Sequence, residues 1–214
     1  MNFRRFRRIR PTSILQSLFA AFPVLATYTS RVGLLTILLI LFPTLVPNIA
    51  EAIDADEYQI KAAYLYQFTQ FVDWPASSFK SPDANFELCV IGEDTFGVAL
   101  SQLAQRTHES HPIILRFLNT VDEVRGCHLL YLSTSEAERE TALLAKTVKS
   151  PVLTVSSLPD FVEQGGIIGF VRSGNHVRFT INRGACEHQG LTCSAKLLEV
   201  AVKIVDDESR DKTR

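Results

Sequence analysis

Residues 128–155 read HLLYLSTSEAERETALLAKTVKSPVLTV, and this stretch decides the fold class. Its first five and last five residues are short apolar runs, which are typical of buried strands. The residues between them, 133–149, predict a helix. A strand, a helix and a second strand in this order indicate a parallel crossover, in which both strands lie in one sheet and the helix covers one of its faces.

The same alternation of strands and helices extends to both sides of this unit. On the N-terminal side, residues 86–92 (FELCVIG) and 112–118 (PIILRFL) predict strands, with a helix over residues 95–105 between them. On the C-terminal side, residues 167–171 and 176–181 predict a β-hairpin, because a turn signal containing Gly-Asn separates them. The sequence therefore predicts an α/β fold: a single three-layer domain with a mixed, mostly parallel sheet, helices on both faces and a C-terminal hairpin.

Two further helices are expected at the ends of the domain, which we place at residues 53–205. Residues 54–72 predict the first helix, whose apolar positions recur at helical spacing: Ile60, Tyr64, Phe68 and Phe71. Residues 194–205 predict the last helix, with an apolar face formed by Leu197, Leu198, Ala201 and Val205. Residues 206–214 are a polar tail that we expect to fray.

The first 52 residues have the features of a secretory signal. They contain five arginines within the first ten residues, the apolar run LLTILLILF at residues 34–42, and an A-x-A cleavage pattern that ends at Ala52. Because this segment is long for a signal, we expect translation to start downstream, near Val24 or Leu25. An uncleaved membrane anchor is the alternative, although a span needs about 20 continuous apolar residues. The sequence favours export to the periplasm with cleavage near Ala52.

The charge of the chain is unevenly distributed. The formal net charge is −1, with 22 basic and 23 acidic residues. The first 52 residues hold six arginines and one acidic residue, so the remaining 162 residues have a net charge of −6. Proteins that bind nucleic acid need a basic face to contact phosphates. The acidic body therefore argues against nucleic acid as a partner.

Four cysteines lie in the predicted mature domain: Cys89, Cys127, Cys186 and Cys193. In an oxidising compartment an even number of cysteines favours disulfide bonds, and four cysteines permit three pairings. A local bridge between Cys186 and Cys193 is geometrically easy because seven residues separate them, and it leaves Cys89 to pair with Cys127. The alternative is a zinc site formed by Cys186, His188 and Cys193, which lacks a C-x-x-C pair and a clear fourth ligand.

The sequence contains no G-x-S-x-G, P-loop or H-E-x-x-H motif. We therefore predict no catalytic residue, no metal ion and no cofactor. His108 and His111 could bring two imidazoles close together, but we interpret them as part of a polar loop before a strand. Three acidic residues are interpreted as a solvated face of a helix: Glu136, Glu138 and Glu140.

Arg178 and Asn182 are the candidate partner-binding residues. Both are polar, and Arg178 lies between buried positions of a strand that alternates polar with apolar residues. Such outward residues also occur on half-buried strands that have no partner, so this assignment is a hypothesis.

Several segments of the chain resemble the YfiR-like family of periplasmic proteins. They are IKAAYLYQF (60–68), FVDWP (71–75), GIIGFV (166–171), VRFTIN (177–182) and SAKLL (194–198). The resemblance extends over about residues 57–202. Most of the matching positions belong to the predicted core, so they identify the fold better than they identify a reaction.

The resemblance implies regulation without catalysis. YfiR-like proteins bind the periplasmic domain of a membrane-bound diguanylate cyclase and repress it, which lowers cyclic di-GMP and biofilm formation, and an outer-membrane lipoprotein relieves the repression. The resemblance also implies two disulfides. A homodimer is a further expectation. One alternative is a small-molecule-binding sensor domain that acts on another receptor, such as a sensor kinase, because an α/β sheet offers a crevice for a ligand. An exported enzyme is a second alternative.

Overall fold

The computed structural model of the protein describes residues 49–206. The strands are β1 (Val72–Asp73), β2 (Phe86–Ile91), β3 (Thr107–His108), β4 (His111–Leu118), β5 (Leu129–Leu132), β6 (Leu153–Ser156), β7 (Ile168–Ser173), β8 (His176–Asn182), β9 (Thr192–Cys193) and β10 (Lys203–Val205). The α-helices are α1 (Ile49–Phe71), α2 (Val98–Ser101), α3 (Glu140–Thr147), α4 (Arg183–His188) and α5 (Ala195–Val200). Short 3-10 helices occupy Ala76–Ser78, Gln102–Gln105, Val121–Val124 and Thr134–Arg139.

An eight-stranded sheet forms the centre of the domain, in the order β10-β8-β7-β6-β5-β2-β4-β3. The pairs β10–β8, β2–β4, β2–β5, β5–β6 and β6–β7 are parallel, whereas β7–β8 and β3–β4 are antiparallel. Strands β1 and β9 form a separate two-stranded antiparallel ladder. The predicted α/β class, with a mostly parallel sheet and a C-terminal hairpin, is confirmed.

Two hydrophobic cores lie on opposite faces of the sheet. Along β2, Leu88 belongs to the core that α1 covers, and the next residue, Cys89, belongs to the core that α3 covers. This alternation follows from the pleat of a strand, which directs successive side chains to opposite faces. Helices therefore cover both faces, which gives the three layers expected from the sequence.

The buried face of α1 is rotated from the predicted one. Ile60, which was expected to be buried, is 44% exposed, whereas Ala62 and Leu65 are 2% and 0% exposed. Phe68 is fully buried, as predicted. Apolar residues surround more than half of this helix, so their spacing allows more than one buried stripe. The observed stripe places the small Ala62 in the core.

The predicted helix over residues 194–205 is wrong in its second half. Ser194 is the N-cap of helix α5, and its Oγ accepts a hydrogen bond from the Leu197 amide. The helix ends at Val200. Ala201 is extended, and β10 then pairs in parallel with β8. Residues 200–205 read VAVKIV, and such β-branched residues pack better in a strand than in a helix. The edge of the sheet therefore gains a strand.

Residues 1–48 and 207–214 lie outside the described part of the chain. The export signal up to residue 48 and the polar tail after Asp206 accordingly stay predictions. The predicted cleavage near Ala52 falls within the described helix α1 and also stays a prediction. Within residues 49–206, no helix combines the length and the apolar character that crossing a membrane requires.

Candidate functional site

The four cysteines form two disulfides in the predicted pairing. Cys89 of β2 is bonded to Cys127, which lies two residues before the start of β5, and their Cα atoms lie 5.9 Å apart. Cys186 of α4 is bonded to Cys193 of β9, with a Cα–Cα distance of 6.7 Å. Since a bonded sulfur is not a thiolate ligand, the alternative zinc site does not form from these cysteines. In the described residues, no three His, Cys, Asp or Glu side chains are grouped closely enough to hold a metal ion.

The β7–β8 hairpin carries the two residues that the sequence marks for partner binding. Arg178 pairs with Val171 in the hairpin register, and the side chains of both are exposed. Residues of β8 two apart share a face, and Thr180 pairs with Lys203 of β10, so Lys203 lies on the same side of the sheet. We call Val171, Arg178 and Lys203 the hairpin outer face.

Asn182 lies at the end of the same strand, but its side chain is 3% exposed. Its Nδ2 donates to the Val162 carbonyl at 2.8 Å, and its Oδ1 accepts from the Ala185 amide at 2.8 Å. The second bond caps α4. The carboxamide is thus fully used inside the domain. The partner-binding role of Arg178 and Asn182 stays a prediction, and of the two only Arg178 has a side chain that a partner can reach in this structure.

Glu57 of α1 forms an ion pair with Arg172 on the opposite face of the hairpin. Its carboxylate lies 2.7 Å from Lys61 Nζ and 3.3 Å from Arg172 Nη1. The Lys61 side chain is buried, and its ammonium lies 4.7 Å from the centroid of the Tyr58 ring. A buried cation needs such partners because it has lost its water. The ion pairs therefore anchor the hairpin to α1 and leave its outer face open.

Arg178 is the unpaired cation of the hairpin outer face. Lys203 Nζ lies 2.6 Å from Glu163 Oε1. Among the residues that the structure describes, the Arg178 side chain has no ion pair and no hydrogen bond. An exposed valine beside an exposed, unpaired guanidinium can bury apolar area and accept a carboxylate at the same time. This combination suits contact with another protein.

A buried group of rings was missed in the sequence. His108 and His111, interpreted there as a polar loop, are 5% and 7% exposed, so this interpretation is wrong. They lie in β3 and β4 and are packed in a group that we call the histidine cluster: Trp74, Phe79, Phe86, His108, His111 and His128. A signal for it exists in the sequence, because His111 and His128 stand at the starts of two predicted parallel strands. Such starts share one edge of the sheet.

The predicted solvated face of three glutamates is also wrong for two of them. Glu136 is 5% exposed and Glu140 8% exposed, while Glu138 is exposed. Glu136 forms an ion pair with Arg139 at 2.6 Å. Burial, and secondarily the negative charge of Asp160, raises the pKa of Glu140. Residues 134–139 form a 3-10 helix instead of the first turns of an α-helix, so the side chains point in directions that α-helical spacing does not give.

An open cleft of about 430 Å³ lies between α1 and the α2 segment. Its lining includes Tyr66, Gln67 and Arg106. The Arg106 guanidinium lies 5.4 Å from the centroid of the Tyr66 ring, so its charge already has an aromatic partner. This cleft is where the alternative small-molecule function would place a ligand.

The comparisons with known proteins identify the family. The family model described as YfiR/HmsC-like matches residues 58–202, which is more than half of the chain. This protein belongs to the YfiR/HmsC-like family, a regulatory family of the periplasm that acts in cyclic di-GMP signalling. No curated protein matches the chain significantly.

Two solved structures are similar to part of the domain. A conserved domain protein from Vibrio cholerae shares 12% identity, with a TM-score of 0.41. The aligned region covers 55% of this chain and 54% of that chain. The ABC domain from Streptococcus pneumoniae, solved in complex with L-Trp, shares 10% identity, also with a TM-score of 0.41. The aligned region covers 56% of this chain and 55% of that chain. The match thus spans about half the length of each structure.

Proposed function

We propose that this protein represses a membrane-bound diguanylate cyclase by binding its periplasmic domain, and that the hairpin outer face forms part of the contact. The observation that carries this proposal is the family match over residues 58–202, which spans nearly the whole described domain. The family is regulatory, so repression by binding requires no catalytic group of this chain. On this proposal the protein is not an enzyme.

The charge of Arg178 supports the choice of surface. Because its guanidinium has no internal ion pair, entry into an interface breaks no existing bond in this domain. An arginine that meets a carboxylate forms two parallel, charge-assisted hydrogen bonds, and arginine is enriched in protein interfaces. The corresponding region of the cyclase should therefore present an acidic side chain, with an apolar neighbour opposite Val171.

Repression by binding has an energetic requirement. The regulator must bind the inactive state of the cyclase more tightly than the active state, and it shifts activity only by that difference. A shift from 1% to 99% inactive takes a preference of about 10⁴-fold, or about 5.5 kcal/mol. An interface of standard size, about 800 Å² on each partner, is large enough to supply such a difference.

The proposal is tested by recovering the partner with the tagged full chain from cells that lack the chromosomal copy. Crosslinking, purification and mass spectrometry should identify a membrane protein that carries a diguanylate cyclase domain. Arg178→Glu should lower its recovery by about tenfold or more, because a like charge opposite an acidic group is repulsive. Lys196→Glu is the matched control, since it makes the same change of charge at an exposed position of α5 and should leave recovery unchanged.

Each result has a definite meaning. Equal recovery with Arg178→Glu and wild type would exclude the hairpin outer face as the contact. If the wild-type chain recovers no cyclase, the repression proposal fails and the small-molecule sensor becomes the better explanation.

A further inference from the structure

Three of the five histidines of the chain are buried side by side in the histidine cluster. The Phe79 ring is nearly parallel to the rings of His111 and His128, with centroid distances of 3.9 and 4.6 Å. The ring centroids of His108 and His111 lie 6.4 Å apart. Buried imidazoles this close together are sensitive to protonation, because each new charge is poorly hydrated and repels the next.

The hydrogen bonds of His128 require its neutral form. Its Nδ1 accepts a hydrogen bond from the Glu87 amide at 2.9 Å, so this nitrogen carries no proton. Its Nε2 lies 3.2 Å from the Ser78 carbonyl oxygen and therefore donates. A second proton on the ring would place two N–H groups against each other and break the bond to Glu87.

The cluster also attaches a surface loop, residues 75–85, to the sheet. His128 donates to the Ser78 carbonyl, and His111 Nδ1 lies 2.6 Å from the Ala84 carbonyl oxygen, to which it donates. The backbone hydrogen bonds of residues 76–83 stay within residues 75–84. In the described residues, both side-chain hydrogen bonds that reach the loop come from imidazoles, and the Phe79 ring packs against the same rings. A segment held by few hydrogen bonds opens at a small free-energy cost.

The charged groups around the cluster come from several elements. The negative charges of Asp73 in β1 and Glu109 in the β3–β4 turn raise the pKa of His108, and that of Glu87 in β2 raises the pKa of His128. Glu87 is already paired with Arg116, and Lys80 shares an open cleft with Glu109 and His111. Burial is the largest effect and lowers the pKa of both His108 and His128, so these acids do not compensate for it.

We infer that the histidine cluster is a pH-sensitive latch. In mildly acidic medium, proton uptake breaks the Glu87–His128 bond and places charge among buried rings, and release of the 75–85 loop lets water hydrate that charge while the rest of the domain stays folded. The released state exposes Trp74 and Phe79. A domain outside the cytoplasmic membrane meets the pH of its surroundings, so such a latch would let external acidity change the surface that the regulator presents. This inference does not depend on the identity of the partner.

The single tryptophan of the chain gives a direct reporter, because Trp74 belongs to the cluster and its Nε1–H donates to the His128 carbonyl at 3.1 Å. With both disulfides intact, lowering the pH from about 7.5 to 5 should shift Trp74 emission reversibly to longer wavelength, while far-UV circular dichroism stays constant. Protection of the amides of residues 76–84 against hydrogen exchange should fall by up to about tenfold per pH unit for each proton taken up. If protection falls more than about tenfold per pH unit, more than one proton is taken up on opening, so more than one histidine takes part.

Variants separate the latch from general acid sensitivity. His128→Gln keeps an acceptor for the Glu87 amide and a donor for the Ser78 carbonyl but removes an imidazole whose pKa burial lowers, so it should make the transition shallower. His176→Gln changes an exposed histidine of the hairpin and should leave the transition unchanged. Constant Trp74 emission and constant exchange between pH 7.5 and 5 would overturn the inference. So would a transition that His128→Gln leaves as steep as in the wild type, or one that coincides with loss of the far-UV signal.

Discussion

Replacing Phe68 with alanine tests how α1 is attached to the hairpin. Phe68 is fully buried, and its ring centroid lies 5.1 Å from that of Phe179 and 5.8 Å from that of Phe170. Removing a buried phenylalanine costs about 3–5 kcal/mol, and aromatic pairs in this geometry contribute about 0.5–1.5 kcal/mol beyond the area they bury. We expect Phe68→Ala to lower the free energy of unfolding by about 4 kcal/mol.

Urea unfolding followed by circular dichroism, with both disulfides intact, measures this loss. For a domain of this size, about 4 kcal/mol corresponds to a melting temperature about 8–16 °C lower. Phe68→Leu retains most of the apolar volume and should cost less than about 1.5 kcal/mol, so it keeps the test usable if Phe68→Ala does not fold. Phe117→Ala is the matched control, because Phe117 is 53% exposed and should cost less than about 1 kcal/mol. Equal losses for Phe68→Ala and Phe117→Ala would refute the observed packing of α1.

Two further predictions concern the disulfides and a buried acid. Replacing both cysteines of the Cys89–Cys127 pair by alanine should cost about 4 kcal/mol of stability, against about 2 kcal/mol for the Cys186–Cys193 pair, because the closed loops contain 38 and 7 residues. Denaturation of the two double variants measures both losses, and the reverse order would contradict the loop-length argument. Glu140→Gln should stabilise the domain at pH 7 by up to about 1 kcal/mol, since burial raises the pKa of this carboxyl and penalises its ionised form above that pKa. The gain should shrink as the pH falls through the raised pKa, and a gain that does not change with pH would contradict this assignment.

The central strands could be predicted from the sequence because their signals are local. The runs at residues 86–92, 112–118 and 128–132 are continuous and apolar, as expected for strands buried on both faces. The hairpin followed from the turn signal at residues 172–175, and the disulfide pairing followed from a short spacing that left one further pair.

The errors arise where tertiary contacts choose between local alternatives. Ile60 and Leu65 both fit an apolar stripe of α1, and only the sheet determines which of them is buried. The stretch VAVKIV at residues 200–205 continues a helical pattern, yet pairing with β8 makes part of it a strand. Glu140 and His111 are polar, so the sequence assigned them to a solvated helix face and a polar loop, whereas the fold buries both.

Cellular cyclic di-GMP after deletion of the gene tests the proposed repression most directly. Deletion should raise cyclic di-GMP and surface attachment, and the full chain supplied in trans should restore the low level. A chain without residues 1–52, expressed at the same level in the cytoplasm, should not restore it, because the proposed contact lies outside the membrane. Unchanged cyclic di-GMP after deletion, in cells whose periplasm normally contains the protein, would contradict repression of a diguanylate cyclase.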